Sequence, residues 1–265
     1  MRRFLHLLAI VLCLSTPALA QIPLGPAQGD KESLQIGAST HEIAITSDFR
    51  GADLTIFGSV DNADQLLLAI GQYDIVVTLE GPKSDATVRR KERLFGIWVN
   101  RRSMTFEQVP RSYSLSSTRA VDTIATPEEL NDLAIGIDHM RLVPIGYIGD
   151  GSSLGEFRQA FRQSMQSSGL YQRDPSGVRF VSPTLFRASL RLPANIPHGV
   201  HTVRAMLFKS GEFVTEKDLK LRVIKTGIEQ TITDAAHEQP VYYGFFAVLL
   251  AVITGWSASV LFRKD

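Results

Sequence analysis

The feature that most constrains this chain is an uncharged apolar run near its C-terminus. Residues Val241–Phe262 contain no Asp, Glu, Lys or Arg. A helix that rises about 1.5 Å per residue can cross the ~30 Å hydrocarbon core of a bilayer with a run of this length. A helix packed inside a soluble protein would be expected to carry a polar stripe, which this run lacks. The sequence therefore predicts one transmembrane helix over 241–262, in contact with the lipid bilayer through Val241 to Phe262.

The residues at the two ends of this run predict its orientation. Tyr242 and Tyr243 have amphipathic rings suited to the outer membrane interface, and Arg263 and Lys264 follow the run directly. Positive charges next to a transmembrane helix tend to stay on the cytoplasmic side. We therefore expect a single-pass membrane protein, with residues 263–265 as a cytoplasmic tail and the N-terminal part on the opposite side of the membrane.

The N-terminus has the pattern of an export signal. An apolar run over Phe4–Leu14 follows Arg2 and Arg3 and precedes the small-residue pattern Ala18-Leu19-Ala20. Charge, apolar run and small residues in this order are typical of a cleaved signal peptide, and the run is short for a membrane anchor. The sequence predicts that residues 1–20 are removed and that Gln21 becomes the first residue.

Cysteine content and charge exclude several classes of function. The only cysteine, Cys13, lies inside the predicted signal peptide. A mature chain without thiols forms no disulfide, carries out no thiol catalysis and has no cysteine metal ligand. Residues 21–262 carry 24 Lys and Arg against 26 Asp and Glu, a net charge of −2. This balance gives no basis for nucleic-acid binding, so no nucleic-acid partner is predicted.

Most of the exported part has the two-residue period of β-strands. Short stretches that alternate apolar and polar residues, separated by turn signals, fill the region from about Ser33 to Ser117. About eight strands at this spacing predict an N-terminal antiparallel β-sandwich domain over 21–120. The same alternation returns after Val178 and predicts a smaller C-terminal β-meander or sandwich over 178–226. A polar juxtamembrane linker over 227–240 then leads to the anchor. The predicted fold class is mainly β.

The segment between the two β regions, residues 121–177, has helical signals. Thr126 can cap a helix, Pro127 suits its first position, and Glu129 can complete a capping box. A second helix is predicted from Ser153 to Gly169, because apolar residues fall on one of its faces. The sequence thus predicts a helical connecting segment between two β regions.

Several stretches together resemble a known bacterial family. They are Ser39–Gly58, Arg89–Asn100, Gly169–Tyr171, Leu185–Arg187 and Pro193–Asn195, followed by the terminal anchor. In these stretches the chain is similar to the alphaproteobacterial family described as "putative transmembrane protein". The resemblance covers most of the mature chain. It implies a bacterial inner-membrane protein with a periplasmic domain, suggests a transport permease as its neighbour, and carries over no catalytic or binding residue.

Two groups of residues are candidate contact sites. Six cationic residues, Arg89, Arg90, Lys91, Arg93, Arg101 and Arg102, flank the apolar stretch Leu94–Val99. One interpretation is a basic outward face beside a buried strand. The other is a partner-binding site, because arginines near an aromatic residue are common at interfaces. The partner-binding residues of that hypothesis are Arg89, Arg90, Trp98, Arg101 and Arg102. In the anchor, Gly255 and Ser259 either face lipid or let a second helix approach closely.

Two motifs suggest chemistry, and each has a simpler explanation. Gly151–Gly155 matches the G-x-S-x-G pattern of a hydrolase, with Ser153 as nucleophile, but the alternating strands and helices of that fold are missing. The sequence favours Ser153 as a plain helix cap. His198 and His201 suggest a metal site, yet no acidic or cysteine cluster surrounds them in the sequence. They also fit a turn and the start of a strand. The sequence therefore predicts no catalytic residue, no cofactor and no metal ligand.

These observations favour a binding or accessory function over catalysis. We expect a membrane-anchored periplasmic β-rich module that acts with an integral membrane protein partner. The alternatives left open are a periplasmic copper carrier and, with less support, a hydrolase that uses Ser153. A converging set of acid, base and nucleophile, which an enzyme needs, is not visible in the sequence.

Overall fold

The computed structural model describes residues 31–146, 151–227, 236–237 and 240–261. The predicted signal peptide over 1–20, the cytoplasmic tail over 263–265 and most of the linker over 227–240 lie outside the described residues. Phe262, the last residue of the predicted anchor, lies outside them as well.

The described residues form thirteen strands and five helical elements. The strands are β1 Ser33–Ala38, β2 Glu42–Ile45, β3 Ala52–Asp61, β4 Tyr73–Glu80, β5 Lys83–Leu94, β6 Ile97–Pro110, β7 Tyr113–Ser117, β8 Val143–Ile145, β9 Tyr171–Asp174, β10 Val178–Phe180, β11 Leu185–Leu192, β12 Gly199–Lys209 and β13 Glu212–Lys225. The helices are α1 Gln65–Ala69, a 3-10 turn Val121–Thr123, α2 Pro127–Asp132, α3 Gly151–Ser167 and α4 Pro240–Leu261. The predicted mainly β class is confirmed, and seven strands lie where about eight were expected.

Strands from both predicted β regions share the same two sheets. The four-stranded sheet has the order β1-β3-β11-β10, and the six-stranded sheet has the order β2-β13-β12-β4-β7-β9. In the first sheet β3 pairs with β11, and in the second β4 pairs with β12, so both pairings cross the predicted boundaries at 120 and 178. The N-terminal and C-terminal β regions therefore contribute to one β-sandwich, because strands of one region pair with strands of the other in both sheets.

The main hydrophobic core lies between these two sheets. Alternate residues of β4, β11 and β12 point into it, as the period of two requires. They include Ile75, Val77, Leu190, Val203 and Leu207, all of which are fully buried. The inward faces follow the alternation seen in the sequence, so the apolar pattern determines which side of each strand is buried.

A second core covers the other face of the six-stranded sheet. Val76 of β4 and Met206 and Phe208 of β12 point into it, and Phe157 and Phe161 of α3 pack from the opposite side. Central strands β4 and β12 are therefore buried on both faces, which explains why Ile75, Val76 and Val77 of β4 are apolar without alternation. The helical segment forms a third layer over the sandwich.

The six-stranded sheet departs from a purely antiparallel arrangement at both edges. There β2 pairs with β13 in parallel, and β9 pairs with β7 in parallel. Tyr113 of β7 and Tyr171 of β9 lie opposite each other, with their ring centroids 6.0 Å apart. In the chain β7 precedes α3 and β9 follows it. The two parallel strands are therefore joined by the long connection that contains the helices.

The two predicted helices form with altered details. The Thr126 hydroxyl accepts from the Glu129 N–H at 3.3 Å, and Pro127 occupies the first turn of α2. The Glu129 carboxylate instead accepts from the Phe213 N–H at 2.6 Å, which corrects the predicted capping box and joins α2 to β13. Helix α3 begins at Gly151 and ends at Ser167, so Ser153 lies inside the helix and the prediction of a cap there is wrong.

Candidate interaction site

A long hairpin made by β5 and β6 carries the predicted basic patch. Its base is anchored in the second core by Phe106 and Val109, which are buried, and β8 pairs with β6 beside them. From Arg89 to Arg102 no residue of the hairpin is buried. The distal half of the hairpin is therefore an exposed two-stranded ribbon, and Arg90 near its lower end contacts Glu156 of α3.

The hairpin ends in a two-residue turn. Phe95 and Gly96 both have positive φ, 48° and 84°, and Leu94 and Ile97 form the closing pair of the ladder. Positive φ at both central residues defines a type I′ turn, whose twist matches that of the flanking strands. Asn, Asp and Gly usually occupy its first position, since a large side chain is disfavoured in the left-handed region. A phenylalanine there is unusual, and its side chain is 97% exposed.

Four apolar residues at this end of the hairpin face solvent, and we name them the apolar tip. They are Leu94, Phe95, Ile97 and Trp98, and at least 47% of each is exposed. The interpretation of Leu94–Val99 as a buried strand beside a basic face is therefore wrong. Grouped aromatic and aliphatic side chains on the surface of a soluble domain are typical of a contact site.

Six cations follow the tip on both strands, and we name them the basic shaft. They are Arg89, Arg90, Lys91, Arg93, Arg101 and Arg102. Glu92 is the one carboxylate between Arg89 and Arg102, so this segment carries a net charge of +5. Because residues 21–262 carry −2 in total, the rest of that region carries −7. The excess of positive charge in residues 21–262 is thus concentrated on this hairpin.

Ion pairs occupy only part of the basic shaft. Arg101 lies 3.2 Å from a Glu92 oxygen, and Arg90 lies 2.7 Å from Glu156 of α3. Both arginines are at least half exposed, so solvent screens these pairs and they contribute little to stability. The other four cations have no carboxylate partner among the described residues. They remain able to bind an external anion.

The strand register brings all five predicted partner-binding residues onto this hairpin. Arg90 lies opposite Arg102, Arg89 opposite Ser103, and Trp98 opposite Arg93. The register shifts between Arg90 and Lys91, which leaves Arg101 as the extra residue of a β-bulge. The sequence identified this group by composition alone. It missed the exposed Leu94, Phe95 and Ile97, because Gly96 without Asn, Asp or Gly before it is a weak turn signal.

The hydrolase motif does not form the geometry that its chemistry needs. Ser153 is the third residue of α3 and is not on a turn between a strand and a helix. The strand that precedes α3 in the chain, β8, has three residues and pairs antiparallel with β6. A nucleophile elbow requires a parallel strand that leads directly into the helix. No observation of the described residues supports catalysis by Ser153.

The two histidines of the metal hypothesis have different surroundings. His198 is exposed before β12, whereas His201 is fully buried within that strand. Burial lowers the pKa of the His201 imidazole below its ordinary value, which favours the neutral ring. In that form one ring nitrogen donates to the Gly199 carbonyl and the other accepts from the Ser112 hydroxyl, each at 3.3 Å. Across the described ranges no three His, Cys, Asp or Glu side chains are grouped as metal ligands.

The anchor forms one continuous helix, α4. Its apolar span covers Pro240–Ser259 and is not buried by other described residues. A Cβ added at Gly255 would meet nothing within 4 Å, and Ser259 lies one turn further on the same face. The structure therefore places the two predicted helix-contact residues together on an open face of α4. None of the described residues packs against this face.

The structure also has a cleft that was not predicted from the sequence. It is an open cleft of about 850 Å³ between the base of the hairpin, the end of α2 and strands β4, β12 and β13 of the six-stranded sheet. Charged residues of both signs line it: Glu80, Lys83, Arg141, Arg204, Glu216 and Lys220. These residues come from distant parts of the chain, so no local motif could have revealed the cleft.

Comparison with known proteins gives a family and loose structural likenesses. The major subunit AggA of aggregative adherence fimbriae type I from Escherichia coli shares 8% identity over 74% of this chain and 97% of its own, with a TM-score of 0.26. The N-terminal domain of the Streptococcus gordonii adhesin Sgo0707 shares 9% over 74% of this chain and 33% of its own, with a TM-score of 0.25. Likenesses this loose say nothing about function.

No curated protein matches the sequence. The family described as "Putative transmembrane protein (Alph_Pro_TM)" matches residues 33–264, which include both sheets, the hairpin and the anchor. With one C-terminal helix able to cross a membrane, the chain is a single-pass membrane protein with a β-rich body. The match confirms the family that the sequence resembled. The chain belongs to this family of transmembrane proteins.

Proposed function

We propose that this protein is a periplasmic binding or accessory module, anchored in the bacterial inner membrane, for an integral membrane protein partner. The observation that carries this proposal is an exposed hairpin with an apolar tip and a basic shaft, on a chain with its own membrane anchor. A soluble binding protein has no need of an anchor, whereas an accessory subunit benefits because the anchor raises its effective concentration beside the partner.

The hairpin has the composition of a contact surface. Trp and Arg are the side chains most often found at the energetic centres of protein interfaces. Here Trp98 is 66% exposed and lies opposite Arg93 in the ladder, and the bulged Arg101 follows it three residues later in the same strand. Burial of this aromatic group against a partner would remove apolar surface from water, and the neighbouring guanidinium groups can pair with carboxylates.

The anchor offers a second contact surface. Gly255 and Ser259 are four residues apart, so a neighbouring helix can approach this face of α4 closely. Association of helices in lipid depends on such close packing, because lipid tails are as apolar as the side chains they replace. We propose that the hairpin and this helix face bind the same complex.

The proposed orientation leads to the first prediction. Alkaline phosphatase fused after Asp265 is expected to be inactive in intact bacteria, because Arg263 and Lys264 should keep that end in the cytoplasm, where the reporter does not fold. Fusion of the same reporter after Lys225, ahead of the anchor, is expected to be active. Activity of the C-terminal fusion would contradict the periplasmic orientation of the body.

The second prediction concerns partner recovery. Trp98→Ala combined with Arg101→Ala is expected to lower the recovery of a membrane partner in affinity pull-downs from native membranes by at least tenfold. Two contacts at an interface centre are together worth more than about 1.4 kcal/mol. Gly255→Leu is expected to lower recovery independently, because added bulk separates the helix backbones. The measurement is quantitative mass spectrometry of the co-purified proteins.

The control for this experiment is a matched pair on the body. Arg179→Ala with Val181→Ala removes an exposed arginine and an exposed apolar residue near β10, away from the hairpin. This control should leave recovery unchanged. Equal recovery from wild type, hairpin variant and anchor variant, at equal protein levels, would show that neither surface binds a partner. Copper or zinc bound one-to-one in the purified protein would favour the metal-carrier alternative.

A further inference from the structure

We infer that the apolar tip of the hairpin inserts into the lipid interface of the bilayer that holds α4, while the basic shaft binds phosphate groups of anionic lipids. The inference rests on the proposed function, because both take the hairpin as the surface through which the protein makes its contacts. It goes further in naming lipid as the first contact of this surface, ahead of the protein partner.

The side chains at the tip are those found at membrane interfaces. Trp and Phe rings settle at the boundary between headgroups and acyl chains, and Leu and Ile extend into the acyl region. The apolar tip combines Leu94, Phe95, Ile97 and Trp98 at the end of a ribbon, where Phe95 is almost fully exposed. Phe95, the unusual residue in a left-handed turn position, lies beyond Leu94 and Ile97, the last pair of the ladder.

The spacing of the charges fits the layers of a bilayer surface. Arg93 directly precedes Leu94, and Arg101 lies three residues after Trp98. At about 3.3 Å per residue, cations begin within one residue of the tip and continue for roughly 15 Å behind it. An apolar tip that enters the headgroup and acyl boundary by ~5–10 Å would bring these cations level with the phosphate groups.

The charge distribution favours one orientation of the body. The segment Arg89–Arg102 carries +5, whereas the remainder of residues 21–262 carries −7. An anionic lipid surface attracts the hairpin and repels most of the remaining body. The hairpin is therefore the part that an anionic membrane draws toward itself.

The shape of the site favours lipid over a second protein as the first contact. A stable protein interface buries about 800 Å² on each partner and needs a broad complementary surface. The apolar tip is instead a small convex end, surrounded by cations, on a ribbon without buried residues. Such an end enters a fluid phase without a preformed pocket.

The anchor keeps the hairpin within reach of the bilayer. Fourteen residues separate Lys225 at the end of β13 from Pro240 at the start of α4. A chain of that length spans at most about 50 Å, and strands of 12 and 14 residues extend over roughly 40 Å. The tether thus leaves room for the body to turn its hairpin toward the membrane.

The test uses the full chain in lipid nanodiscs that contain no other protein. The sequence has two tryptophans, so Trp256→Phe leaves Trp98 as the single reporter. In nanodiscs with an anionic phospholipid, Trp98 emission should shift to shorter wavelength and be quenched by lipids brominated in the upper acyl chain. Nanodiscs of zwitterionic lipid alone should give at least twofold weaker quenching, because the basic shaft then lacks its counter-charge.

Two variants distinguish insertion from a general effect on the protein. Phe95→Ser with Ile97→Ser should abolish quenching by brominated lipid. Leu66→Ser with Ile70→Ser removes comparably exposed apolar residues from α1 and should leave the quenching unchanged. If both double variants lose quenching equally, the tip has no specific role and the inference is overturned.

The remaining outcomes separate this inference from the proposed function. Trp98 that stays open to an aqueous quencher in nanodiscs, with no effect of brominated lipid, overturns lipid insertion. If Trp98 is open to the aqueous quencher in nanodiscs but protected from it in native membranes, a protein partner covers the tip. The proposed function then stands without the inference. Exposure of Trp98 in both settings overturns the inference and removes the hairpin from the proposed contact as well.

Discussion

Replacement of Gly58 with alanine is expected to lower the free energy of unfolding by about 1–3 kcal/mol, the usual cost of overpacking a filled core. Gly58 lies in β3, where it stands opposite Ile36 of β1 and Phe186 of β11. A Cβ added there would lie 2.6 Å from Cε1 of Phe186 and 2.6 Å from the carbonyl oxygen of Gln35. Phe186 is fully buried, so its ring has no free space to move into.

The matched control is Gly37, which lies in β1 of the same sheet. A Cβ at Gly37 would meet nothing within 4 Å, and its φ is not in the left-handed region. Gly37→Ala is expected to be neutral or slightly stabilising, since alanine loses less backbone freedom than glycine on folding. Urea unfolding of the detergent-solubilised full chain, followed by circular dichroism, measures both variants.

A double variant turns this prediction into a test of the fold. Phe186→Leu shortens the side chain that the new Cβ would meet, so Gly58→Ala with Phe186→Leu should cost less than the two single changes added together. Coupling of this kind requires contact between the two residues. Because Gly58 and Phe186 belong to the two separate β regions of the sequence, strict additivity would contradict a sandwich shared by both regions.

The sequence predicts the elements of this fold better than their pairing. The alternation after Val178 predicts that one face of each strand is buried, and Leu190, Val203 and Leu207 lie on the buried faces of β11 and β12, because burial of a strand imposes a period of two. The uncharged run of the anchor was equally clear. Both signals are local, so they can be read without knowing which residues lie beside them.

Pairing between distant strands leaves no such local signal. When only the sequence is known, every strand with one apolar face is equally suited to line the core. No signal therefore indicated that β3 would pair with β11. Met206 and Phe208 alternate with the core residues of β12 and are apolar because a second core covers that face. Their apolarity was visible, but the helices that bury them are separated from β12 by more than thirty residues.

The candidate site was located by its charges and misjudged in its apolar part. Arginines near Trp98 indicated a contact site, and the structure brings the five predicted residues onto one hairpin. The stretch Leu94–Val99 was interpreted as buried because apolar runs usually are. The turn at Phe95 and Gly96 exposes it, and a phenylalanine at the first turn position hides the usual sign of a type I′ turn.

That phenylalanine gives the second large effect that we expect. Phe95→Asn should leave the free energy of unfolding unchanged or raise it by up to about 1 kcal/mol, because asparagine tolerates the left-handed conformation that Phe95 holds at φ 48°. The same change should remove most of the quenching of Trp98 by brominated lipid. The side chain is 97% exposed, so its loss leaves no cavity in the fold.

A gain in stability with a loss of membrane contact is difficult to explain if Phe95 has only a structural role. Replacement of a residue that supports folding should lower the free energy of unfolding of the protein. Replacement of a residue that serves contact can raise it. Leu66→Asn, on the exposed side of α1, provides the control and should change neither measurement appreciably. If Phe95→Asn lowers the free energy of unfolding and the quenching together, the ring supports the hairpin itself. If it changes neither, Trp98 and the aliphatic residues enter the interface without it, and the strained turn is unrelated to membrane contact.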